Sequence, residues 1–278
     1  MTSEFKGHGP SRISIVSFEG SKAIRKTFPT NEFDRLTKEV FKLRTLGAIG
    51  ETCGRFKVPH VLSVAGSYYI LEYIDTVPLP RENVVKNIHN ILTAIANVSC
   101  QNNSSTNGST GKDLWQVMLQ KFRTAKSNDA EYFDIVERLQ EPNQLSLGYS
   151  HGDLTLDNIL CDRAGCWYLV DPSWSQVESP IWDVGKILQS TAANWDQIKS
   201  TGVVGAKPAW LDAINRELIG LLAQSFTPDE MLLGLACQLA RVSRWCFADE
   251  LIRVIKMLLK THLRGDDNER LDALRRIV

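Results

Sequence analysis

The chain has no surplus of either charge: 32 Lys+Arg stand against 32 Asp+Glu over 278 residues, a net charge of +0. A protein whose main task is to coat nucleic acid or an anionic membrane needs a positive excess, so neither is expected as a partner. No apolar run approaches the roughly 18–20 residues of a membrane span. The opening MTSEFKGHGPSR carries no apolar segment, so no secretory signal is expected. Disulfide and zinc chemistry are also poorly served. Cys53, Cys100, Cys161, Cys166, Cys237 and Cys246 lie far apart and form no CxxC pair. Reduced thiols in a cytoplasmic protein are the expectation. No internal repeat occurs. What remains is an ordinary globular composition, 43% hydrophobic and 23% charged, with enough chain for one large domain or two modest ones.

The first third reads as β-rich. Ile13–Phe18 and Lys22–Phe28 flank the turn signal Glu19-Gly20-Ser21 and predict a hairpin. Phe33, Leu36, Val40, Leu43 and Leu46 then recur at helical spacing, with Thr30 or Asn31 to cap the helix and Gly47 and Gly50 to end it. Val58–Val64 and Tyr68–Ile74 predict two further strands. Beyond Pro78 and Pro80 the pattern turns helical, with an apolar stripe at Val84, Val85, Ile88, Ile91, Leu92 and Ile95. Ser99–Gly111 is a polar Ser/Asn/Gly loop, read as a surface insertion. Helical patterns resume over Leu114–Lys126 and Tyr132–Leu139, a β-like island spans Ser150–Val170, and Trp182–Ile277 is nearly all helix.

The island holds the chemistry: His151-Gly152-Asp153-Leu-Thr-Leu-Asp157-Asn158-Ile-Leu160, and after a turn at Asp162–Gly165, Tyr168-Leu-Val170-Asp171. Three polar residues, Asp153, Asn158 and Asp171, are each framed by apolar runs. A hairpin of this length brings its open ends together, so Asn158 and Asp171 are expected side by side, with the Asp153–Asn158 loop closing back on them. Two carboxylates and an amide form a hard oxygen set, suited to Mg²⁺ with a polyphosphate.

HGDLTLDNIL followed by LVD resembles the catalytic segment of the aminoglycoside phosphotransferase and choline kinase superfamily, small-molecule kinases with a protein-kinase-like fold. The resemblance implies that Asp153 accepts or orients the substrate hydroxyl, that Asn158 and Asp171 hold Mg²⁺ against ATP, and that His151 braces the loop. It also implies that Asp183, at the head of the next helix, anchors that loop through backbone N–H groups. Asp157 sits outside the motif and is read as a solvated or capping residue.

A kinase needs a strand lysine for the α- and β-phosphates and a helix glutamate to aim it. Lys26 and Glu39 fit that order of features; Lys22 and Arg25 compete with Lys26, and Ile24 shares its face for adenine. Glu72, Tyr73 and Ile74 fall where the family has its adenine-binding hinge. Gly7–Ser11, with Gly9 and Ser11 as the named candidates, would supply a phosphate-covering loop, although it lacks a full G-x-G-x-x-G. Gly152 stands where many protein kinases carry a regulatory arginine. Asp171 is followed by Pro-Ser rather than Phe-Gly, and only 11 residues, Pro172–Trp182, separate it from Asp183. A small-molecule acceptor therefore fits better than a protein.

Trp174, Trp182, Lys186, Gln189, Trp195 and Trp245 are candidate walls of an acceptor pocket. Trp182 and Trp245 are read as core. Lys186 is read as a solvated helix residue, with the alternative that it faces an anionic acceptor. No acidic cluster suits an aminoglycoside, and seven tryptophans leave an aromatic cage for choline open. A sugar or other polyol is the least specific choice.

The expectation is an α+β, two-lobed protein-kinase-like fold. A β-rich ATP-binding lobe over 1–75 holds a small antiparallel sheet and one helix; a large helical lobe over 76–278 carries the catalytic loop and acceptor site. The activity expected is transfer of a phosphoryl group from ATP, with Mg²⁺, to a hydroxyl of a sugar, antibiotic or amino alcohol. The alternatives are a silent nucleotide-binding module and, less well supported, a protein kinase. Nothing in the sequence sets an oligomeric state.

Overall fold

A computed structural model describes residues 4–6, 11–80, 83–101, 109–201, 207–243 and 248–277. The chain forms two compact units. One comprises 1–81 with 157–174, the other 82–156 with 175–278. The hairpin read from the sequence with 76–278 thus groups with the β-rich part.

In the first unit, β1 (Glu4–Lys6), β2 (Arg12–Phe18), β3 (Ser21–Thr27), β4 (Val61–Ala65) and β5 (Tyr68–Glu72) form an antiparallel sheet of order β1-β2-β3-β5-β4. The β2–β3 turn is tight because Glu19 and Gly20 both take left-handed backbone, φ 49° and 80°, which matches the twist of the flanking strands. Pro59 follows the start of the third predicted strand, and β4 begins only at Val61. Lys57 instead pairs elsewhere. Its N–H donates to the Trp167 carbonyl at 2.8 Å, and its carbonyl accepts from Leu169 N–H at 2.9 Å.

That pairing ties in β7 (Ile159–Asp162) and β8 (Trp167–Leu169), which form a second, three-stranded sheet with β6 (Thr76–Val77). The β7–β8 turn is closed by Asp162, whose carboxylate accepts from the N–H groups of Ala164 (2.9 Å) and Cys166 (2.8 Å).

Helix α1 (Phe33–Cys53) turns Leu36, Val40, Leu43 and Leu46 inward, as its periodicity predicts. Both predicted ends move. Thr30 and Asn31 lie in a short 3-10 turn rather than at the cap, and the helix runs through Gly47 and Gly50 to a left-handed Gly54, φ 65°. Gly50 is there for packing: a Cβ on it would meet the Phe56 carbonyl oxygen at 2.5 Å.

The second unit is helical. It contains α2 (Val84–Gln101), α3 (Gly111–Arg123), α4 (Ala130–Glu137), α5 (Ile181–Thr191), α6 (Trp195–Thr201), α7 (Ala209–Leu222), α8 (Pro228–Val242), α9 (Ala248–Arg264) and α10 (Asp267–Arg276). The six-residue apolar stripe of α2 is wholly buried. Capping boxes start α3 (Thr110, Asp113) and α8 (Thr227, Glu230). Helices α5 and α8 touch backbone to backbone: a Cβ on Gly185 would lie 2.3 Å from the Gly234 carbonyl oxygen. Among the described residues, no helix is long and apolar enough to cross a membrane.

Candidate active site

The first unit builds a charge cluster from three distant stretches of sequence. Lys26 reaches from β3, Glu39 from the middle of α1, and Asp171 from just past β8. Lys26 Nζ donates to Glu39 Oε2 at 2.7 Å and to Asp171 Oδ1 at 2.5 Å. Lys26 and Glu39 are buried, whereas the Asp171 side chain is 47% exposed. An ammonium out of water is tolerated only when paired, and two carboxylates provide that. Glu39 is itself fully engaged: Tyr69 donates its hydroxyl to Oε2 at 3.1 Å, and Arg35 Nε donates to Oε1 at 3.2 Å. Burial, with the Glu39 and Asp171 carboxylates nearby, pushes the Tyr69 phenol well above its ordinary value, so it remains a hydrogen-bond donor.

Asp171 takes left-handed backbone, φ 58°, which is uncommon for a residue with a side chain. Lys42, three residues beyond Glu39 on α1, donates its Nζ to the Ser173 carbonyl at 2.6 Å and thereby anchors the segment after Asp171. Asn158 is brought beside this segment by the hairpin: Ile159 pairs with Leu169, and Val170 N–H donates to the Asn158 carbonyl at 3.1 Å. No group of three or more His, Cys, Asp or Glu among the described residues could form a protein-only metal cage. One carboxylate and one neighbouring amide fit Mg²⁺ of the kind that takes its remaining ligands from phosphates and water.

The other nucleotide-side candidates are placed as follows. Lys22 is exposed, with its Nζ 3.8 Å from the Tyr73 ring centroid, and Arg25 lies over Tyr68. Glu72 is bound to His60: its Oε2 accepts from the His60 N–H at 3.2 Å, and its own N–H donates to the His60 carbonyl at 2.9 Å. Ile74 is half-buried and follows β5. Of the proposed phosphate loop only Ser11 is described, and it is buried; Gly9 lies outside the described residues.

The second unit holds Asp153. The loop that carries it is pinned by Asp183 in the first turn of α5. This wholly buried carboxylate accepts from the N–H of His151 at 2.5 Å and of Gly152 at 2.6 Å. Gly152 takes φ 85°, so the turn that presents two adjacent N–H groups needs glycine there. His151 is buried, and Ser190 Oγ, two turns along α5, accepts from Leu156 N–H at 3.3 Å.

Asp153 Oδ1 meets two cations, Lys186 Nζ at 2.7 Å and Arg241 NH2 at 3.4 Å. Lys186 is buried rather than solvated, which corrects its reading from the sequence: every residue of α5 is covered, so the helix has no wet face. Burial alone would raise the Asp153 carboxyl, but Lys186 and Arg241 outweigh it and hold it below its ordinary value. Burial drives the Lys186 ammonium down to about 8 against the opposing pull of Asp153, with Arg241 and Lys121 adding to the fall. Trp182 is buried, and its indole donates to the Val177 carbonyl at 2.8 Å. Trp174 is exposed beneath Lys38, Trp195 is half-buried, and Trp245 lies outside the described residues.

Lys42, Tyr69 and Arg241 escaped the sequence reading. Lys42 had a usable signal, a charge at i+3 from Glu39 on the apolar face of α1; Arg241 had none, being 88 residues from the carboxylate it meets.

The family model described as "Phosphotransferase enzyme family" matches residues 21–225. No curated protein sequence matches the chain. Among solved structures, a Thermobifida fusca protein provisionally named a fructosamine-3-kinase superposes with TM-score 0.64 at 14% identity, covering 95% of this chain and 93% of its own. A Ralstonia eutropha protein provisionally named an aminoglycoside phosphotransferase gives 0.55 at 12%, covering 100% and 93%. A Cryptosporidium parvum choline kinase gives 0.53 at 12%, covering 100% and 91%. At these identities the likeness is one of fold: the α+β, kinase-like architecture.

Proposed function

The chain belongs to the phosphotransferase enzyme family, and from this premise we propose that it moves the terminal phosphoryl group of ATP to a hydroxyl of a small molecule. The observation that carries the reading is the buried Lys26 ammonium, shared between Glu39 at 2.7 Å and Asp171 at 2.5 Å. A buried lysine aimed by a helix glutamate is what phosphate binding on a strand requires. Lys26 takes the α- and β-phosphates, and Glu39, fixed by Tyr69 and Arg35, keeps its ammonium in place. Asn158 and Asp171 hold Mg²⁺, whose chemistry when bound is to neutralise phosphate charge. Asp153 orients the acceptor hydroxyl. The hydroxyl oxygen bonds to the γ-phosphorus as the bond to the β–γ bridging oxygen breaks; ADP leaves, and the hydroxyl proton passes to Asp153. With Lys186 and Arg241 holding its pKa low, Asp153 is a weak base that positions more than it deprotonates. A loose phosphoryl-transfer transition state needs little more. The adenine edge falls to backbone groups of residues 72–74. Cys53, Cys161, Cys166 and Cys237 are free thiols and suit a cytoplasmic setting.

The test is release of ADP from Mg-ATP over a panel of hydroxyl compounds. Asp153→Asn is expected to cut acceptor-dependent turnover by about 10²-fold or more while leaving nucleotide affinity within about twofold. Equal turnover by the variant overturns the assigned mechanism. ATP binding with no acceptor-dependent ADP release identifies a nucleotide-binding module instead.

A further inference from the structure

The surroundings of Asp153 bear on which hydroxyl compound it takes. Within the second unit this carboxylate has two cations on a single oxygen, Lys186 from α5 and Arg241 from α8. Lys121 adds positive potential at Lys186. Asp183, one turn before Lys186, turns both of its oxygens to backbone N–H groups of the loop and keeps its negative charge. Lys186, Arg241 and Lys121 thus set three positive charges against the two carboxylates of Asp153 and Asp183, with Lys186 buried and the Arg241 side chain 41% exposed. An arginine tied through one nitrogen at 3.4 Å keeps the rest of its planar fork for a carboxylate or phosphate.

A second, independent observation comes from uncharged side chains. Gln189, one turn beyond Lys186 on α5, is wholly buried, and neither its Oε1 nor its Nε2 has a hydrogen-bond partner among the described residues. Gln238, one turn before Arg241 on α8, is likewise buried with its Oε1 unpartnered. Buried amides without partners are costly and uncommon, so these atoms call for a polar partner. A Cβ on Gly185 would also lie 3.1 Å from Gln238 Cγ, so Gln238 stands at the α5–α8 contact, one residue from Lys186 along α5.

Resting on the phosphotransfer reading, we infer that the acceptor is an anionic hydroxyl compound, with its carboxylate or phosphate held by Arg241 and Lys186 and its hydroxyl presented to Asp153. An ammonium-bearing acceptor meets like charge there, and a neutral polyol leaves the second cation without a counter-charge. The anion also draws Arg241 partly away from Asp153, so the carboxylate regains basicity when the correct acceptor is bound.

The test uses the full chain and probes of one carbon skeleton: gluconate and glucose 6-phosphate, neutral glucose, and glucosamine. Binding is read by calorimetry and thermal shift without nucleotide, and ADP release is read with Mg-ATP. At least one anionic probe is expected to bind about tenfold or more tighter than glucose, and Arg241→Ala to remove that advantage. Arg241→Lys is expected to keep part of it, and Arg241→Glu to turn the preference toward glucosamine. If glucose or glucosamine binds as well as both anions, or if Arg241→Ala leaves anion affinity unchanged, the inference is overturned. Gluconate above glucose 6-phosphate identifies a carboxylate acceptor, and the reverse order a phosphate. The two readings fail separately. Anion binding through Arg241 without ADP release overturns phosphotransfer alone, whereas ADP release driven only by neutral or cationic probes overturns the anionic acceptor alone.

Discussion

Lys26 and Lys186 are both buried lysines paired to carboxylates, yet they are held differently. Lys26 shares its proton donors between two carboxylates, so its charge is compensated. Among the described residues Lys186 has one carboxylate, and that carboxylate is also claimed by Arg241. The second ammonium therefore bears the cost of burial, and its pKa falls to about 8 from an ordinary 10.5. Between those values the unfolded chain keeps a proton that the folded chain has lost, so stability rises with pH across that window. Below pH 8 both states are protonated and the deficit is fully present. A gap of this size corresponds to roughly 3 kcal/mol. Urea unfolding of wild type and Lys186→Met between pH 7 and 10.5 measures it. The wild type is expected to gain stability relative to the variant as pH rises, and a flat difference would remove the account of Lys186.

Helix α5 joins the Asp153 loop to the packing of its unit. Asp183 in its first turn pins the loop, Lys186 in its second meets Asp153, and Ser190 in its third holds Leu156. All three depend on where the helix lies against α8, which is set by Gly185 on Gly234. Gly185→Ala would drive a Cβ into backbone that cannot rotate away, and is expected to cost about 1–3 kcal/mol and to lower turnover. Gly47→Ala in α1 is the counterpart. Nothing lies within 4 Å of its Cβ position, so helix propensity alone acts, and a gain of up to about 1 kcal/mol is expected. Thermal unfolding of both variants reads the two signs; the same sign in both would refute the close-contact explanation. The β7–β8 hairpin shows the converse. Its turn is local, closed by Asp162, but it settles in its unit through Lys57, more than a hundred residues earlier.

For the molecule as a whole, zero net charge leaves the work to a few local charges. On the phosphotransfer proposal, Mg-nucleotide would bring counter-charges of both signs to Lys26 and Asp171. Binding only to the folded state, Mg-ATP at about 100 times its Kd is expected to add about 2.7 kcal/mol of stability. Asp171→Asn, which spares the bulk of the side chain, is expected to abolish most of the Mg-dependent part. Melting curves with ATP, with and without Mg²⁺, separate the two. An unchanged Mg²⁺ increment in the variant would take Asp171 out of the metal site.

The sequence by itself determined the broad helix–strand order, the turn signal at Glu19-Gly20-Ser21, and the hairpin that sets Asn158 beside the Asp171 segment. These are short-range matters, decided by periodicity, backbone sterics and residues a few positions apart. It also carried the phosphotransferase motif, because His151, Gly152, Asp153 and Asn158 must keep fixed spacing along one loop. Only the tertiary structure decided which cations face which carboxylates. Lys42 on Ser173 and Arg241 on Asp153 are contacts across 131 and 88 residues, and no local pattern encodes them. Lys186 shows the physical reason most plainly. A lysine one turn into a helix reads as solvated until the neighbouring helices cover it, and burial then turns a surface charge into part of the site.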